Sequence, residues 1–70
     1  MSRQREQIIE SLYSFYIGNL NKHKMNVELY LSNPAGVGEH TDILGGITLE
    51  LKAMAEYEEL ICMLKQYIDV

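Results

Sequence analysis

The chain has one cysteine, one proline, one phenylalanine and no tryptophan among its 70 residues. With Cys62 alone, no internal disulfide can close, so that common support of very small folds is excluded. Basic residues are scarce: six Lys and Arg stand against ten Asp and Glu, for a net charge of −4. Arg3 with Arg5 and Lys22 with Lys24 are the only basic pairs, too few for a stripe that tracks phosphates, so a nucleic-acid partner is not expected. No apolar run approaches the roughly 18 residues of a membrane span, because charges interrupt every stretch. Nor does a secretion-type apolar core with a small-residue cleavage site follow Met1-Ser2-Arg3-Gln4-Arg5-Glu6-Gln7. A lone unpaired cysteine suits a reducing compartment, and the expectation is a cytoplasmic protein with no membrane partner.

What the chain does have is periodicity. From Ile9, apolar or aromatic residues recur through Tyr13, Tyr16, Leu20, Val27 and Tyr30 at alternating steps of four and three, with His23 in the same series. A second series runs Ile43, Ile47, Glu50, Met54, Tyr57, Ile61, Leu64 and Ile68. A mean step of 3.5 is the spacing of coiled-coil-like helix packing. The first helix is expected from about residue 2, with Ser2 as its cap, to about residue 32. Pro34 disfavours helical geometry at Asn33 and stops it. The second is expected over about residues 41–69, capped by Thr41 or Asp42, with residues 33–40 as the loop. Pro34, Gly36 and Gly38 are the loop residues needed for geometry. The fold class is therefore all-α: one domain over residues 1–70, an antiparallel helical hairpin.

The two series can be set against each other by adding residue numbers. Sums of 73 and 74 pair Tyr30 with Ile43, Val27 with Ile47 and Leu20 with Met54. They also pair Tyr16 with Tyr57, Tyr13 with Ile61 and Ile9 with Leu64. His23 then falls opposite Glu50, the one polar residue of each series meeting the other. Beside the seam lies a second apolar face. On the first helix Ile8, Leu12, Phe15 and Leu29 form it. On the second, Leu49, Leu60, Met63 and Tyr67 do, with small Gly46 and Ala53 between them. That is wider than a hairpin seam requires and matches a bundle face. So small a domain buries too little surface to stand alone. The expectation is a homodimer or higher oligomer, two hairpins docking into a four-helix bundle through Ile8, Leu12, Phe15, Leu49, Leu60, Met63 and Tyr67.

The chemistry-bearing residues are few. His23 and Glu50 read first as a structural polar pair that fixes register. A metal site is the sharper alternative, since a twofold dimer would double the pair, but the Glu-x-x-His spacing of bundle di-metal sites is missing. Glu39, His40 and Asp42 put three potential ligands in four residues, with helix capping by Thr41 and Asp42 the plainer reading. Gly36-Val37-Gly38 lacks the third glycine, lysine and preceding strand of a phosphate loop. Gly45-Gly46 costs the second helix roughly 1–2 kcal/mol and points to close packing, a loose end, or a hinge. Cys62 has no histidine within a turn, and Lys65 is its only basic neighbour, so an activated thiolate is not expected. No catalytic residue and no cofactor is expected.

The stretch from Asn21 to Ile43, carrying Asn33-Pro34-Ala35-Gly36-Val37-Gly38 and Glu39-His40-Thr41-Asp42, resembles the centre of small helical-hairpin proteins of marine, cyanophage-type bacteriophages. Gly45-Gly46 departs from that pattern, where an acidic or alanine pair is expected. The resemblance implies a viral source and no particular activity. Together these readings describe a non-enzymatic, self-associating interaction protein, an accessory or virion component of a phage acting in its bacterial host. The alternatives are a metal-binding bundle built on His23 and Glu50, or a small regulator that lays one helical face on another phage or host protein.

Overall fold

The computed structural model describes residues 3–33 and 42–70. Helix α1 runs Arg3–Ser32 and helix α2 runs Ile43–Met63, continued by a π-helical turn over Leu64–Ile68. The two helices pack against each other as an antiparallel hairpin. The expectations that fall on Ser2, and on Pro34, Gly36, Gly38, Glu39, His40 and Thr41, lie outside the described residues.

Asp42 caps α2. Its carboxylate accepts from the Gly45 N–H at 2.9 Å, and its carbonyl accepts the Gly46 N–H at 3.0 Å. A short acidic side chain can fold back onto the donors that a helix start leaves unpaired, and its charge suits that end of the dipole. The carboxyl carbon lies only 2.7 Å from where a β-carbon on Gly45 would sit, so the first of the two glycines keeps the cap open. Thr48 bonds the Leu44 carbonyl and Asn19 the Phe15 carbonyl, each one turn back, which lets polar side chains sit inside a helix without competing for its ladder.

The seam follows the alternating series. Ile9 and Leu64 are its buried members, at 7% and 5% exposure, and nearly all the others are half-buried. Tyr16 and Tyr57 meet with ring centroids 6.2 Å apart, and His23 meets Glu50; the residue numbers of both pairs add to 73.

Three expectations need correction. Tyr30 does not simply face Ile43: its ring lies over Gly46, with Cζ 2.6 Å and Cε1 2.9 Å from the position of a β-carbon there. The cause is the tilt of every Cα–Cβ bond toward its own helix N-terminus, so a long side chain on α1 lands about a turn away from the residue level with its Cα. Gly46 consequently belongs to the seam and not to the second face. Ile68 is not sealed in the seam either, at 47% exposure. It ends the π turn, where Asp69 N–H reaches back five residues to the Leu64 carbonyl at 2.8 Å, and the wider turn breaks the 3.5-residue step.

The free end of the hairpin is tied by long-range side-chain bonds. Arg5 donates to the Ile68 carbonyl at 2.7 Å, and Tyr13 donates its hydroxyl hydrogen to Asp69 at 2.9 Å. The molecule measures 52 × 17 × 14 Å, with a radius of gyration of 15.8 Å. A compact chain of this length would have about 11 Å. This is a rod with two sides and almost no interior.

Candidate functional site

Two features stand out on the rod: a polar cluster in mid-seam and an apolar face along one side.

The cluster centres on Glu50. One carboxylate oxygen, Oε1, receives both His23 Nδ1 at 2.6 Å and the Asn26 amide at 3.1 Å. His23 and Asn26 are three apart on α1, hence on one side of it, and both reach toward the same point of α2. The His23 ring also stacks on Tyr57, at 6.1 Å and 17° between planes. Both long side chains lean toward their own N-termini, and in an antiparallel pair those directions converge.

The His23 hydrogen bond, and then that of Asn26, hold the Glu50 carboxyl below its ordinary range, outweighing its partial desolvation. Side-chain exposures of 20% for His23 and 22% for Glu50 leave both in touch with water. With Glu50 ionised, Nδ1 carries the hydrogen and Nε2 is left to solvent or to a partner. Among the described residues, no buried side-chain polar atom is unpaired, and no three His, Cys, Asp or Glu side chains gather as ligands for a metal ion. The cluster links the two helices through side-chain hydrogen bonds in mid-seam. Asn26 is the member that sequence reasoning missed, because it lies off the alternating series.

At the free end, Tyr13 titrates above the ordinary phenol range, because it is partly desolvated and because its hydroxyl donates to the Asp69 carboxylate. Asp42 is engaged as a cap, and Cys62 is exposed.

The second feature comprises the side chains named for docking. Ile8, Phe15, Leu49, Leu60, Met63 and Tyr67 are all exposed, from 36% for Leu60 to 67% for Leu49, and Leu12 is half-buried. With the seam written as heptad positions a and d, Leu12, Asn19 and Asn26 are g residues of α1. Ala53, Leu60 and Tyr67 are g residues of α2. Antiparallel helices place both g flanks on the same side of the pair, so the two apolar stripes merge into one face. At the free end this face opens into two adjoining shallow recesses of about 370 and 360 Å³, both touching Gln4, Ile8 and Leu12. One of them reaches across to Ile68 at the end of the second helix.

No helix is long and apolar enough to cross a membrane among the described residues. No family model matches the chain, and no curated protein or solved structure matches it either.

Proposed function

We propose that the protein is a non-enzymatic assembly module whose working form is a homodimer, two hairpins docked into a four-helix bundle. One observation carries this reading. Among the described residues only Ile9 and Leu64 are buried, whereas seven large apolar side chains of the apolar face, Ile8, Phe15, Leu29, Leu49, Leu60, Met63 and Tyr67, stand at 36% exposure or more. A monomer of that kind orders its backbone while leaving in water most of the apolar surface that could repay the ordering. A face of 52 by 17 Å offers a footprint of about 900 Å², close to the roughly 800 Å² per partner of a stable interface. Under the resemblance at residues 21–43, the assembly is an accessory or virion component of a bacteriophage.

The test is the mass and melting of the intact chain. Sedimentation equilibrium at micromolar concentration is expected to give twice the 8.1 kDa chain mass, with a melting temperature that rises with concentration. A monomer that melts cooperatively and independently of concentration overturns the reading.

A further inference from the structure

The apolar face is not uniform along its length, and that unevenness decides how a second copy can sit on it. Toward the free end it carries Ile8, Leu12 and Phe15 of α1 beside Leu60, Met63 and Tyr67 of α2. Toward the loop end, among the described residues, it carries only Leu29 and Leu49. Between them its outer positions turn polar, with Lys22 on α1 and Glu56 on α2, both exposed. Two like faces can meet through a twofold axis in only two ways. The axis runs along the rod, so that free end lies beside free end, or across it, so that free end lies against loop end.

We infer that the two hairpins associate about a twofold axis parallel to their helices, each α1 packing on the partner's α2 with both free ends side by side. This rests on the dimer proposed above and specifies its geometry. Two independent features select it. The first is apolar matching. With the register sum of 73, Leu60, Met63 and Tyr67 stand near the heights of Leu12 and Ile8, so an axial dimer sets the large apolar cluster against its own copy. A transverse dimer sets it against the poorer loop end, where Lys22 and Asn26 interrupt the face.

The second is charge. Lys22 and Glu56 differ in height by about five residues, or roughly 7–8 Å along the rod. Each side chain leans toward its own N-terminus, which brings the two tips toward a common height. An axial dimer therefore pairs Lys22 of each copy with Glu56 of the other, twice. A transverse axis through the middle of the rod brings Glu56 against its own copy, like charge on like.

A spin label at Gln4, in the full chain with Cys62→Ser, distinguishes the arrangements. An axial dimer places the two labels at the same height, across a bundle with helices about 10 Å apart, and predicts a separation of about 25–30 Å. A transverse dimer places them at opposite ends, about 45 Å apart. A separation near 45 Å overturns this arrangement while leaving the dimer intact. Absence of dipolar coupling, with monomeric mass for the unlabelled parent chain at the same concentration, overturns both.

Charge reversal provides the second measurement. Lys22→Glu is expected to weaken dimerisation about tenfold through its two symmetry-related pairs. Adding Glu56→Lys is expected to restore it, because the swapped charges pair again. A double variant no tighter than Lys22→Glu alone counts against the axial dimer.

Discussion

The ring of Tyr30 occupies the space that a side chain on residue 46 would fill, so Gly46 is a contact and not merely a weak point of α2. Two effects compete when that glycine is replaced. Alanine gains about 1 kcal/mol of helix propensity. Against this, its β-carbon forces the whole ring aside, since ring atoms and not only the hydroxyl lie within 3 Å. Overpacking of this kind costs about 1–3 kcal/mol. Gly46→Ala is therefore expected to be neutral to destabilising by up to about 2 kcal/mol in urea unfolding at fixed chain concentration. In a Tyr30→Ala background the same change is expected to stabilise by about 1 kcal/mol. A full gain in the parent chain would show that the ring does not lie there in solution.

Gly18 is the control. A β-carbon there meets nothing within 4 Å, and its φ is not positive. Gly18→Ala is expected to raise stability by about 0.5–1 kcal/mol, with no dependence on Tyr30. A loss on this substitution would place residue 18 against something the hairpin alone does not show.

The Asp42 cap makes a third prediction. Asp42→Ala removes the acceptor for the Gly45 N–H and is expected to cost about 1 kcal/mol, whereas Asp42→Asn or Asp42→Ser is expected to retain most of it. Thermal melts of the three variants at one concentration check this. Equal losses for all three would mean that the cap contributes nothing.

The seam was legible from sequence because burial on one side of a helix leaves a period, and every described residue the alternating steps marked from Ile9 to Leu64 is half-buried or buried. His23 and Glu50 were legible as partners because one register constant places both. Details shorter than a helical turn were not. Residue-number sums describe Cα heights, while contacts are made by side-chain tips displaced toward each N-terminus. That is why Tyr30 found Gly46 and His23 found Tyr57. Asn26 gave no signal of its own, since one polar residue among several on a half-exposed flank looks like any other. The π turn at Leu64–Ile68 and the Arg5 bond to the Ile68 carbonyl leave no periodic trace at all.

The fourth prediction concerns Glu50 and pH. Its carboxyl is lowered by the His23 hydrogen bond first and the Asn26 bond second, relative to an ordinary value of 4.5. A carboxyl whose folded pKa lies below its unfolded one adds stability that is present above the unfolded value and lost as pH falls through the folded one. Stability should therefore decline below about pH 4.5 in part through Glu50, and Glu50→Gln should flatten that part of the decline. Asn26→Ala removes the second bond, lets the folded value rise toward the unfolded one, and should therefore make the acid loss through Glu50 smaller without moving where it begins. Neutral pH tests the pair itself. His23→Leu or Glu50→Leu alone strands a partner in the seam at a cost of about 1–3 kcal/mol, while the double change should cost less than the sum of the singles. Urea unfolding from pH 3 to 7, with and without chelator, measures all of this. Strictly additive losses would show that the contact carries no energy, and a melting point that falls on adding chelator would replace the polar layer with a metal site.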